Sequence, residues 1–203
     1  KKQAEAIITA ANTAYGQGRY AEAEALCRQI LNELPEHFSA LHLLGLCAFA
    51  AQQFEAAKQA LKQAVTVDPR SAQAFSDLGA THFALGQYED ARTCLEKAIA
   101  LKPNFPMALA NLGNALLHLN CVEQAIDVYD RAIKLKPDDA QAWSDRGATY
   151  YLRGDNEKAV QDLSEALRLD PNRPRSFTNR GAAYKKLGQL DKSIADDGEA
   201  IRL

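Results

Sequence analysis

Residues Ala140–Arg173 read AQAWSDRGATYYLRGDNEKAVQDLSEALRLDPNR. Trp143, Gly147, Tyr150 and Tyr151 recur at helical spacing, and Gly154 ends that first run. Ala159, Leu163, Ala166 and Leu169 follow at steps of four, three and three, the apolar stripe of a second helix. Asp170-Pro171 stops it, because proline has no amide hydrogen and pushes the residue before it out of the helical region. The stretch therefore predicts two short helices joined by a glycine turn.

The same unit recurs along the whole chain in steps of 34 residues: 4–37, 38–71, 72–105, 106–139, 140–173 and a shortened 174–203. Each recurring position has a physical reason. Position 8 holds Ala11, Gly45, Gly79, Gly113, Gly147 and Gly181, and position 20 holds Ala23, Ala57, Ala91, Ala125, Ala159 and Ser193. Small side chains there let paired helices approach closely. Position 4 carries a large knob (Ile7, Leu41, Phe75, Leu109, Trp143, Phe177), which packing explains without a cofactor. Between the helices, Gly18, Gly86, Gly154 and Gly188 supply the left-handed residue of a helix end, with Asn120 and the less suited Gln52 in the remaining turns. Ser71 and Asp139 stand where N-caps belong.

Composition narrows the function. The 203 residues carry 24 basic and 26 acidic side chains, a net charge of −2 that gives no reason to expect nucleic acid or a charged membrane surface as partner. No apolar run approaches the ~20 residues that cross a bilayer. Cys27, Cys47, Cys94 and Cys121 are far apart and fall at four different repeat positions, which reads as small apolar fillers in a reducing cytoplasm. His37, His42, His82 and His118 lack metal-ligand spacing. No catalytic constellation, metal site or cofactor loop emerges, and the expectation is a non-enzyme.

The pattern of Trp, Gly and Tyr, then Ala, a large apolar residue, Ala and Pro over 34 positions resembles the tetratricopeptide repeat. That resemblance implies an all-α, right-handed superhelical solenoid of twelve antiparallel helices, one array over residues 1–203. First helices line a concave face, to which positions 2, 5, 6, 9, 12 and 13 contribute. Gln73, Asp77, Asn111, Asn114, Gln141, Asp145, Tyr151, Arg175 and Asn179 are the resulting candidates for binding a partner. Asn and Gln amides offer a donor and an acceptor each, as an extended peptide needs. Asp77 and Asp145 favour a basic or amide-donating group, while Arg175, Lys185 and Lys186 favour an anion. Arg146 and Arg180 replace a leucine of the resembled family at position 7; their stems can cover apolar surface while the guanidinium reaches water.

Two specialised roles within the family can be compared with these positions. The clamp for a chaperone's C-terminal carboxylate fits poorly, since Ala110, Asp145 and Asn179 replace three of its residues. The stretch Leu101–Leu116, LKPNFPMALANLGNAL, resembles the asparagine-lined repeats of O-linked N-acetylglucosamine transferases, with Asn111 and Asn114 as ladder residues. The expectation is a scaffold that captures an extended segment or helix of a protein partner. The alternatives are the substrate-docking segment of a larger glycosyltransferase-like enzyme and a self-assembling module. The last repeat is atypical, with Ser193, Asp197 and Gly198, and leaves Ile194, Ile201 and Leu203 uncovered. That end implies either a longer chain or self-association through terminal repeats.

Overall fold

A computed structural model describes residues 2–203, leaving aside the Lys2 side chain, and the described residues form helices without strands. In chain order these are α1 (Lys2–Gly16), α2 (Tyr20–Glu33), α3 (Phe38–Ala50), α4 (Phe54–Val67), α5 (Ala72–Ala84) and α6 (Tyr88–Leu101). There follow α7 (Pro106–His118), α8 (Val122–Leu135), α9 (Ala140–Arg153), α10 (Asn156–Leu169), α11 (Pro174–Lys186) and α12 (Leu190–Arg202). They pack as two compact units, the first ending at Pro103 and the second running from Asn104 to Leu203. Within each unit the odd-numbered helix packs against the helix that follows it, and each pair packs against the next. Each unit is an all-α stack of helix pairs.

Local chemistry places the breaks where the sequence puts them. Gly18, Gly86, Gly154 and Gly188 have positive φ, and so do Gln52 (φ 59°) and Asn120 (φ 60°) in the equivalent turns. Ser71 Oγ accepts from the Ala74 amide at 3.2 Å, and Asp139 Oδ1 accepts from the Gln141 amide at 3.1 Å. His37, which the sequence leaves without a role, caps α3 by accepting from the Ala40 amide through Nδ1. Pro106 and Pro174 begin α7 and α11, at the helix position where the missing amide hydrogen costs nothing.

The centre of each pair is the contact between positions 8 and 24. Leu61, Leu95, Tyr129 and Leu163 are fully buried there. A Cβ at Gly45 would lie 2.5 Å from Leu61 Cγ, and one at Gly113 would lie 2.5 Å from Tyr129 Cζ. Glycine is required by this approach, at the expense of helix propensity. The large residues at position 4 are less central: Leu41 and Leu109 are buried, but Phe75, Trp143 and Phe177 are only half-buried. Trp143 still ties α9 to the preceding turn, its Nε1 donating to the Pro137 carbonyl at 2.8 Å.

At position 7 the structure corrects the expectation that arginine heads reach water. Arg146 donates through Nε and Nη2 to both oxygens of Asp162, at 2.6 and 2.8 Å, and through Nη1 to Asp130 at 2.6 Å. Arg180 grips Asp196 in the same bidentate way, at 2.8 and 2.7 Å. Both aspartates are buried. Burial works against the charge of Arg146, but hydrogen bonds and charge from Asp162 and Asp130 outweigh it and hold the group above the usual arginine range. Each guanidinium also lies over an aromatic ring, Trp143 at 4.9 Å and Phe177 at 5.5 Å.

Candidate functional site

The first helix of each pair presents the polar positions that the sequence selects. In the first unit these are Gln73 and Asp77 on α5, one turn apart. Gln73 Nε2 donates to Asp77 Oδ1 at 3.1 Å and Oδ2 at 3.2 Å. His42 on α3 adds a contact the sequence misses: its Nε2 lies 2.7 Å from Asp77 Oδ2. An ionised carboxylate only accepts, so the ring donates there. Phe38 stacks on that imidazole and holds its plane, with centroids 5.6 Å apart. Gln73 and Asp77 are thus largely engaged by their own unit. Reading position 5 of one repeat against position 6 of the next is the signal that finds His42.

The second unit carries the other candidates on α7, α9 and α11. Asn114 is half-engaged, its Oδ1 accepting from the Tyr129 hydroxyl at 2.6 Å. That tyrosine reaches from α8 across the glycine gap, and its hydroxyl finds this partner on the polar face. Burial pushes its ionisation well above the ordinary tyrosine value. Gln141 is bracketed, donating to Asp145 Oδ1 at 2.7 Å and accepting from Arg173 Nη2. Arg173 in turn pairs with Asp170 at 3.3 Å. Tyr151 leans on the small core formed by Ala159, Leu163 and Ala183. Its ring therefore shares in packing as well as in the face.

What stays open is more informative. Asn111 and Asn179 are half-buried, and their amides make no side-chain hydrogen bond among the described residues. Arg175 is exposed. Asp145 Oδ2 is buried without a hydrogen-bond partner. Burial raises the pKa of Asp145 above the ordinary aspartate value of 3.8, opposed by the Gln141 hydrogen bond and the charges of Arg175 and Arg173. Beside these residues a cleft of about 280 Å³ is lined by Gln141, Ser144, Arg173, Arg175 and Ser176, among others. The Ser144 and Ser176 hydroxyls bond across it at 2.8 Å, tying α9 to α11.

Among the described residues, no group of three or more His, Cys, Asp or Glu is placed to hold a metal ion, and no helix is long and apolar enough to cross a membrane. The four cysteines are free. Burial pushes the Cys27 thiol up to about 12 and those of Cys47 and Cys94 to about 11, far from thiolate reactivity.

Comparison with known proteins supports the repeat reading. Tetratricopeptide repeat models match residues 76–140, 147–188 and 128–161. A model of subunit 3 of the anaphase-promoting complex, or cyclosome, matches residues 16–98. No curated protein matches the chain. Among solved structures, MamA is 26% identical with a TM-score of 0.71, over 78% of this chain and 93% of that one. YrrB, described as a TPR protein with an unusual peptide-binding site, is 20% identical with a TM-score of 0.70, over 87% and 91%. PilW, described as a widely conserved type IV pilus biogenesis factor, is 16% identical with a TM-score of 0.88, over 98% and 92%. The fold is that of tandem tetratricopeptide helix pairs.

Proposed function

We propose that this tandem of tetratricopeptide helix pairs is a protein-interaction scaffold that holds an extended peptide segment of a partner against the first helices of its second unit. The observation that carries the reading is the set of unengaged polar groups on α7, α9 and α11: the Asn111 and Asn179 amides, the Arg175 guanidinium and Asp145 Oδ2. A peptide bond offers one donor and one acceptor, which an asparagine amide matches. In the first unit the corresponding acid is already engaged by His42, which makes α5 the weaker surface. YrrB, with its peptide-binding site, is a precedent for the use of such a fold. The near-balanced charge favours a protein ligand over nucleic acid. Four free thiols, two of them buried, suit a reducing compartment, and we place the protein in the cytoplasm.

The test is selection of a displayed random 12-residue peptide library on the intact chain. Selected peptides should bind at least tenfold more weakly to the double variant Asn111→Ala, Asn179→Ala, while its helical circular dichroism stays unchanged. Peptides that ignore the double substitution would place the binding face elsewhere.

A further inference from the structure

Two copies of one polar arrangement stand 68 residues apart, and one of them lacks a member. In the first unit, Asp77 takes the Gln73 amide from its own helix and the His42 imidazole from α3. In the second, Asp145 takes the Gln141 amide from its own helix in the same way. At the place of His42, however, α7 carries Ala110. Within that unit α7 and α9 pack together as α3 and α5 do in theirs. The result is visible at the carboxylate: Oδ2, the atom that faces the imidazole in Asp77, is buried and unpartnered in Asp145. Buried polar atoms are nearly always hydrogen-bonded, and an exception in a binding face calls for a donor.

The chemistry of that donor follows from what is already taken. Asp145 Oδ1 is occupied by Gln141, so one oxygen is open and a bidentate guanidinium has nothing to fork onto. A lysine ammonium is a point charge with three rotatable donors. One of them suits Oδ2, and Asn111, next in sequence to Ala110 and without a side-chain hydrogen bond, carries a further acceptor on the same helix. Where α3 carries the His42 imidazole, α7 has only the Ala110 methyl. Of the nearest cations, Arg173 is held through Nη1 by Asp170 and through Nη2 by Gln141, its buried Nε making no hydrogen bond to Asp145, and Arg175 is exposed and makes no ion pair with Asp145. We propose that a lysine side chain of the bound peptide occupies the place His42 fills in the first unit, its ammonium donating to Asp145 Oδ2. The inference rests on the peptide-binding reading of the second unit and names the side chain that reading would select.

The same 12-residue library, selected on the intact chain, tests it with two further variants. Asp145→Asn keeps the shape and removes the charge; Ala110→His supplies the missing internal donor. Selected peptides should share one lysine, and its replacement by norleucine should weaken binding at least tenfold, by arginine less. Asp145→Asn and Ala110→His should each lose the preference for that lysine, with helicity retained. If Ala110→His fails to fold, Asp145→Asn alone decides. Peptides that depend on Asn111 and Asn179 but show no lysine preference, or keep it in Asp145→Asn, overturn this inference and leave the groove reading standing. A library yielding no peptide sensitive to Asn111→Ala, Asn179→Ala overturns both.

Discussion

Single residues decide more here than repeat composition suggests. Arg146 with Asp162, and Arg180 with Asp196, occupy the two positions that Leu112 and Val128 occupy in the fourth repeat. Removing one member leaves a charge stranded in a mostly buried place, so Asp162→Ala should cost about 3–5 kcal/mol in urea unfolding. The double variant Arg146→Leu, Asp162→Val installs the neighbouring repeat's apolar pair and should recover stability to within about 1 kcal/mol of the parent. The pair was legible in the sequence, because positions 7 and 23 change together down the chain; reading each position alone sends the guanidinium to solvent. Asp145 gives a second test. Its raised pKa means the folded chain holds the proton more tightly than the unfolded chain does. The stabilising contribution is present below the ordinary value of 3.8 and is lost as pH rises through the higher folded value. The stability gain of Asp145→Asn over the parent should therefore be larger at pH 7 than at pH 4 in denaturant titrations.

At the scale of the helix pair, the contact between position 8 and position 24 sets how close two helices come. Gly113 and Gly198 separate that contact from simple helix propensity. A methyl at Gly113 meets the Tyr129 ring, whereas one at Gly198 in α12 meets nothing within 4 Å. Gly113→Ala should therefore destabilise by about 1–3 kcal/mol through overpacking. Gly198→Ala should stabilise by up to about 1 kcal/mol through backbone entropy. Thermal melts of the two variants should move in opposite directions. Helix ends, turn residues and the small positions were all readable, since each is dictated by local geometry repeated six times. The Tyr129 contact was not, because it joins two helices across the glycine gap, and the His42 contact emerges only when position 5 of one repeat is read against position 6 of the next.

Across the molecule, the regular 34-residue step gives the architecture, and departures from it give the candidate site. Gln73, Asp77, Gln141 and Asn114 were chosen for facing outward, yet each already has a partner within its own unit. Asn111, Asn179, Arg175 and one oxygen of Asp145 have no hydrogen-bond partner among the described residues, and they are the groups that the proposed peptide would meet. The sequence orders positions by face but does not say which faces are internally satisfied. The buried cysteines report on integrity of the first unit. Cys27 and Cys47 share a core with Ala11, Ile30 and Leu43. Iodoacetamide at pH 8 should leave both unmodified in the native chain and label them once urea opens that core, as read by peptide mass spectrometry.

The arginine–aspartate layers have one further consequence. Repeats built on leucine cohere by apolar burial, which has no direction and weakens on cooling. Repeats built on a paired guanidinium and carboxylate hold by direction instead, two donors of Arg146 on the two oxygens of Asp162 and two of Arg180 on those of Asp196. One continuous chain thus holds hairpins closed by interchangeable apolar volume and, at its last two, hairpins closed by a directional fork, where neighbours cannot absorb the loss of a single prong.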